Sequence, residues 1–83
     1  MAKRVTATGQ NEAGDITVLC GHGWRRDKAG VVQDIRFGLE SYFVEDDRGR
    51  RAAVQVVDED DGPVLRTDPQ SYCSENLENQ RPC

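Results

Sequence analysis

Only one segment of this chain has the spacing of an amphipathic helix, and turns marked by glycine or proline divide the rest into short strand-like runs. Asp27 is placed to cap the start of this segment, and Gly38 is suited to the left-handed conformation that closes a helix. The spacing therefore predicts one helix, which packs against a sheet through a stripe of apolar residues. The stripe consists of Val31, Val32, Ile35 and Leu39.

Five runs rich in β-branched or aromatic residues surround the helical segment, and turn-forming residues separate them. The pair Asp61-Gly62, which favours a tight hairpin, separates the last two runs. Short runs with such local connections are typical of an antiparallel sheet. The predicted strands are residues 5–8, 16–20, 41–45, 51–57 and 63–67.

The sequence therefore predicts a single α+β domain, spanning residues 1–83. We expect a small antiparallel sheet of about five strands in the order β-β-α-β-β-β, with the helix on one face. Residues 68–83 are predicted to form an irregular C-terminal segment packed back on the sheet. Because only 36% of the residues are hydrophobic, the core is expected to be thin, without a deep substrate cavity.

The charge and the hydropathy pattern bear on partners and location. A formal net charge of -4 repels nucleic-acid phosphates, so nucleic acid is not the expected partner. No stretch approaches the roughly 20 apolar residues that cross a bilayer, and the basic start of the chain lacks the apolar run of an export signal. We therefore expect a cytoplasmic protein that does not bind membranes.

The chain contains three cysteines, which a reducing cytoplasm would keep as free thiols or metal ligands. One hypothesis is a structural zinc site formed by Cys20, His22, Cys73 and Cys83, although its ligands are widely spaced. A second hypothesis is a disulfide from Cys20 to Cys83 or to Cys73. A third makes Cys20 a nucleophile with His22 as its base, but the sequence shows no orienting group or oxyanion pocket. We therefore assign no catalytic residue, cofactor or metal.

An aromatic residue next to two cations marks a candidate binding surface. Trp24, Arg25 and Arg26 follow one another directly after Gly23 and are predicted to lie in a loop. Such a combination can stack on a nucleotide base or contact the carboxylates of a partner. In the alternative interpretation, Trp24 covers the core, because the chain has few other large apolar residues.

Several motifs occur in the order found in the bacterial family called domain of unknown function 3892, and the resemblance covers nearly the whole chain. The similar segments are 14–20 (GDITVLC), Trp24, 28–35 (KAGVVQDI), 41–44 (SYFV), 54–57 (VQVV), 65–68 (LRTD), 76–77 (NL) and 82–83 (PC). The resemblance implies one compact domain. It supplies no activity, because none is assigned to that family.

These observations favour a non-enzymatic binding or accessory module that acts through its surface on a protein or a small polar ligand. One alternative is a cysteine-centred protein, either stabilised by zinc or responsive to redox conditions. A further alternative is weak binding of nucleic acid or nucleotides through Trp24, Arg25 and Arg26, together with Lys28. The oligomeric state does not follow from the sequence.

Overall fold

A computed structural model describes residues 2–83, and this part of the chain contains one helix and eight strands. The strands form two four-stranded sheets, with the orders β1-β5-β6-β7 and β4-β3-β2-β8. The elements in chain order are β1 (Ala2–Arg4), β2 (Ala7–Gln10), β3 (Ile16–Gly21), β4 (Trp24–Asp27), α1 (Lys28–Arg36), β5 (Ser41–Glu45), β6 (Arg51–Glu59), β7 (Gly62–Thr67) and β8 (Arg81–Pro82).

The α+β class is confirmed, but the prediction of one antiparallel sheet of about five strands was wrong. Both sheets are mixed, because β1 pairs in parallel with β5 and β8 pairs in parallel with β2. The sequence prediction missed β1, β4 and β8 as strands, and it placed Trp24 in a loop. Each of these strands has two to four residues, which is too short for an alternating pattern to be recognised.

The chain passes from one sheet to the other at Val5 and Thr6. The Val5 amide donates to the Phe43 carbonyl oxygen of β5 at 2.8 Å, whereas the next amide, of Thr6, donates to the Cys20 carbonyl oxygen of β3 at 2.9 Å. Because successive residues of an extended chain direct their amides to opposite sides, this corner joins a strand of each sheet. The helix contacts β3 and β4 of one sheet and β5, β6 and β7 of the other.

The helix begins and ends where local signals predict. The Asp27 carboxylate accepts a hydrogen bond from the Gly30 amide at 2.9 Å, which caps the first turn. After the last helical residue, Gly38 has a φ of 67°, a conformation that glycine adopts without strain. Val31 and Val32 are buried as predicted. The inclusion of Leu39 in the apolar stripe was wrong, since it lies beyond the end of the helix and is 69% exposed.

The core lies between the helix and the two sheets, and the C-terminal segment closes it. Leu77 has no exposed surface, although it lies in a segment without helix or strand. The Thr8 hydroxyl donates to the Leu77 carbonyl oxygen at 3.2 Å, which fixes the segment against β2. The buried apolar residues that form this cluster are Val5, Ile16, Leu19, Val31, Val32, Tyr42, Val44, Ala52, Val54, Leu65 and Leu77.

A buried carboxylate, Asp46, fastens the C-terminal segment to the end of β5. Its side chain is 1% exposed and accepts hydrogen bonds from the Arg48 and Arg50 amides and from the Arg50 guanidinium, at 2.8 to 3.0 Å. It also accepts from the amide and the hydroxyl of Ser74. Burial raises the pKa of Asp46, but the hydrogen bonds from Ser74, Arg50 and Arg48 outweigh it and hold this pKa well below the usual range.

No helix in the described part of the chain is both long enough and apolar enough to span a membrane.

Replacing Leu77 tests whether the C-terminal segment is part of the core. We expect Leu77→Ala to lower the free energy of unfolding by about 2 to 5 kcal/mol, because it removes a fully buried side chain and leaves a cavity. The control is Leu39→Ala, at an exposed position, which should change the free energy of unfolding by about 0.5 kcal/mol or less. Equal effects in urea denaturation would show that Leu77 is not a core residue.

Candidate functional site

The candidate surface is an open sheet edge, which we call the β4 edge and which comprises residues 24–27. A two-residue turn, His22-Gly23, joins β4 to β3, and Gly23 has a φ of 77°. Within residues 2–83, β4 has β3 as its only strand neighbour. Because Asp27 caps the helix that follows directly, the strand is fixed at one end by the turn and at the other by the helix.

The hydrogen bonds of β3 determine which backbone groups of β4 face outward. Cys20 lies opposite Arg25, and its carbonyl oxygen accepts from Thr6 of the neighbouring chain segment. The backbone groups of Cys20 therefore point away from β4, so Cys20 and Arg25 form a non-hydrogen-bonded pair. By the alternation of an antiparallel ladder, the N–H and C=O groups of Arg25 and the N–H group of Asp27 point away from the sheet, whereas the C=O group of Asp27, the N-cap, accepts the first hydrogen bond of the helix. The β4 edge thus offers two backbone donors and one backbone acceptor for another strand.

A polar network ties this edge to the helix and to β5. The Arg26 guanidinium donates to both oxygens of Asp34, at 2.9 and 3.1 Å. The Tyr42 hydroxyl donates to the same carboxylate at 2.5 Å. Asp34 is buried, and its two partners come from β4 and β5. One carboxylate on the helix therefore connects strands of both sheets.

The network moves the pKa values of Asp34 and Tyr42 further from neutral pH. The hydrogen bond from Arg26, followed by that from Tyr42, lowers the pKa of Asp34 and outweighs the opposing effect of burial. Burial, with the hydrogen bond to Asp34, raises the pKa of Tyr42 to about 12. A general acid or base works best with a pKa near the working pH. The network is thus suited to holding structure at neutral pH rather than to proton transfer.

Trp24 packs against the core and retains some exposed surface. Its ring lies 5.5 Å from that of Tyr42, and the Lys3 ammonium lies 5.3 Å from its centroid. The indole also covers Gly21, where an added Cβ would lie only 2.1 Å from the indole nitrogen. Trp24 therefore covers part of the core, as one interpretation of the sequence predicts. It also presents an aromatic surface with a cation beside it, which is what the binding-surface interpretation requires.

The two arginines of the predicted surface point to opposite sides of β4. Arg26 shares the core side with Trp24, while Arg25 lies on the outer side of the sheet with Cys20. Arg26 is neutralised by Asp34. The described part of the chain shows no carboxylate paired with Arg25, which is exposed. Arg25 is therefore the cation of this surface that can bind a partner.

The cysteines are arranged differently from the main prediction. Cys20 and Cys83 form a disulfide, so the expectation of free thiols was wrong for these two residues, and one of the two predicted bridges is present. Cys73 is free and half-buried, with its sulfur 3.9 Å from the Val44 carbonyl oxygen. His22 is exposed on the turn after β3.

The disulfide limits the roles that the predicted cysteine and histidine site can have as a nucleophile or a metal site. Within residues 2–83, no three His, Cys, Asp or Glu side chains are grouped as metal ligands. In the bonded form Cys20 has no thiolate that could act as a nucleophile or bind zinc. Zinc binding by Cys20, His22, Cys73 and Cys83 stays a prediction for the reduced protein.

No protein-family model, curated protein or solved structure matches the chain. The resemblance to domain of unknown function 3892 therefore stays a hypothesis that depends on the quoted motifs alone.

The ionisation of Tyr42 tests the polar network. In a Tyr72→Phe variant, where Tyr42 is the remaining tyrosine, we expect the ultraviolet absorbance of the phenolate to appear at a pH of about 12. The pKa of Tyr42 is higher in the folded state than in the unfolded state. The contribution of the Tyr42–Asp34 hydrogen bond to the free energy of unfolding is therefore complete below about pH 10, and it is lost as the pH rises through the pKa of folded Tyr42. In denaturant the same titration should return to about 10. A native titration already at about 10 would contradict the buried Tyr42–Asp34 hydrogen bond.

Proposed function

We propose that the protein is a non-enzymatic binding module that holds an extended, acidic segment of a partner protein along the β4 edge. The observation that carries this proposal is the outward orientation of the Arg25 N–H and C=O groups and of the Asp27 N–H group, on a strand that is fixed at both ends. A fixed edge strand can bind a peptide by strand addition, in which main-chain hydrogen bonds supply affinity. The proposed partner extends the sheet by one strand.

The charges near the β4 edge support an acidic partner. Arg25 is exposed, and Lys28 follows at the start of the helix. The two carboxylates closest in sequence are engaged, because Asp27 caps the helix and Asp34 binds Arg26. Lys28 lines a pocket together with three carboxylates, so Arg25 is the cation left for a partner on a chain of net charge -4. A local cation of this kind steers and orients carboxylates of a partner.

Side-chain contact at this edge would come from Trp24. Its ring is partly exposed on the core side of β4, and Lys3 and Tyr42 restrict its movement. A rigid aromatic residue provides contact area at a low cost in conformational entropy. Alternate residues of an added strand would therefore meet Trp24 on one face of the sheet and Arg25 on the other.

The net charge favours this proposal over nucleic-acid binding. Neutralisation of several phosphates needs a run of free cations, whereas Arg26 is already paired with Asp34. A cytoplasmic location also stays a proposal, although the disulfide is a bond more typical of oxidising compartments.

Fluorescence of the single tryptophan gives a direct binding test. The probe is a short peptide that alternates valine and glutamate and is blocked at both ends. We expect it to change Trp24 emission saturably, and we expect Arg25→Glu to weaken its binding about tenfold, or roughly 1.4 kcal/mol. Arg48→Glu is the matched control, because it makes the same charge change on an exposed turn away from β4.

Two altered probes separate backbone recognition from charge alone. A peptide with alternate backbone nitrogens methylated keeps its carboxylates but cannot extend the sheet, and we expect it not to bind. A version with lysine in place of glutamate should bind far more weakly. Equal binding of the methylated and unmethylated peptides would overturn the proposal, as would tighter binding of single-stranded DNA than of the acidic peptide.

A further inference from the structure

The Cys20–Cys83 bond joins two residues that differ in exposure and surroundings. Cys83 is exposed, whereas Cys20 is half-buried in β3. We propose that this bond is a thiol-exchange site, at which a dithiol reductant attacks Cys83 and Cys20 leaves as a thiolate beside Arg25. The inference is independent of the proposed binding function, although Arg25 contributes to both.

Exposure determines which sulfur is attacked. Thiol–disulfide exchange needs an approach of the attacking thiolate to one sulfur, and the rate depends on access to that sulfur. Cys83 follows the two-residue strand β8, and its amide donates to the Thr8 carbonyl oxygen at 3.1 Å. The Cα atoms of Cys20 and Cys83 lie 6.5 Å apart, and the β2 residue opposite Cys20 is Ala7. The side chain of β2 that faces Cys20 is therefore a single methyl group, too small to cover the bond.

Arg25 makes Cys20 the better leaving group. The two residues form a non-hydrogen-bonded pair, in which side chains lie closest, with Cβ atoms roughly 4.5 to 5.5 Å apart. A neighbouring guanidinium stabilises a thiolate, and a thiol with a lower pKa leaves faster. The register also places Arg81 opposite Ala7, on this same side of the sheet.

The strand register and the adjacent turn place two further titratable groups on the chain near Cys20. Asp27 lies on the same side as Arg25, two residues further along β4, and its carboxylate is engaged with the Gly30 amide. His22 lies on the adjacent turn and is exposed. Arg81 also lines a pocket with Glu45 and Glu75, so Arg25 is the cation that favours a Cys20 thiolate.

The exchange balances as a two-electron reduction. A thiolate of the dithiol forms a bond to the Cys83 sulfur as the Cys20–Cys83 bond breaks, and the bonding electron pair leaves with Cys20. The second thiol of the reductant then displaces Cys83 and forms an internal disulfide in the reductant. The reductant loses two electrons and two protons, and the two cysteines of the protein gain them as thiols.

Reduction would act locally on the C-terminal strand. Beyond Leu77, the contacts of the segment with the sheet include the β2–β8 pairing, the Cys83 amide bond to Thr8 and the disulfide. Leu77 itself remains buried and bonded through Thr8. We expect loss of the disulfide to free β8 while the core stays folded, which leaves one side of β2 unpaired.

The first test measures reduction of the native full chain by dithiothreitol, with alkylation and mass spectrometry to count thiols. We expect the bond to open without global unfolding and Arg25→Gln to slow this reaction about threefold, since its leaving thiolate loses a cation. Arg48→Gln is the control and should react at the parent rate. A bond that opens only when the whole chain unfolds, or equal rates in the two variants, would overturn the proposal.

A second test identifies the sulfurs and does not depend on the proposed binding site. With a monothiol such as glutathione, peptide mapping should find the mixed disulfide on Cys83, whereas a mixed disulfide on Cys20 would overturn the assignment. In a Cys73→Ser, Cys83→Ser chain, the alkylation rate of Cys20 against pH should give a pKa below the usual value of about 8.5. Arg25→Gln should raise that pKa, and an unchanged profile would exclude the role of Arg25. Failure of the acidic peptide to bind would leave all these outcomes unaffected.

Discussion

The hydrogen-bonded contact of Asp34 with Arg26 and Tyr42 is the interaction on which the arrangement of this protein depends. A helix of nine residues with a glycine near its start gains little from intrinsic propensity, so packing must hold it in place. The buried carboxylate directs that packing, because it accepts hydrogen bonds from a strand of each sheet. Removing one partner of such a group leaves a buried charge without compensation, which is strongly destabilising. The same contact fixes the inner side of β4, so the outer backbone groups of that strand are held in a defined position.

The C-terminal segment completes a core that the short strands cannot close by themselves. Leu77 is fully buried in the core cluster, Asp46 holds the segment through Ser74, and the disulfide fastens its end to β3. A bond that joins residues 63 positions apart is expected to stabilise a chain by about 4 kcal/mol through the restricted unfolded state. The segment contains no regular element before β8, so these long-range contacts, together with local hydrogen bonds such as the reciprocal pair between Asn76 and Asn79, hold it in place.

Local signals predicted the parts of the fold that local contacts create. Asp27 and Gly38 marked the ends of the helix, and the runs at 16–20, 41–45 and 51–57 all lie in strands. The missing strands have no such signals: β1 and β8 exist through parallel pairing with distant partners, and β4 is a four-residue arm of a hairpin. The sequence pattern predicted a binding surface at Trp24, Arg25 and Arg26, but it did not predict the edge strand that contains them. Asp34 was missed because its partners Arg26 and Tyr42 each lie 8 residues away, and the role of Asp46 in holding the C-terminal segment was missed because Ser74 lies 28 residues away.

The most direct test of the central claim is native-state hydrogen exchange, residue by residue, on Asp34→Asn and on Asp58→Asn as the matched control. Asp58 pairs with Arg36 at the surface, so its replacement removes an exposed ion pair by the same chemical change. The account predicts that Asp34→Asn removes protection selectively from the β4 and helix amides, while those of central β6 keep most of theirs, and that Asp58→Asn leaves both almost unchanged. If the two variants exchange alike, or if β6 loses protection as much as β4, then the Arg26–Asp34–Tyr42 contact does not hold the β4 edge to the rest of the protein.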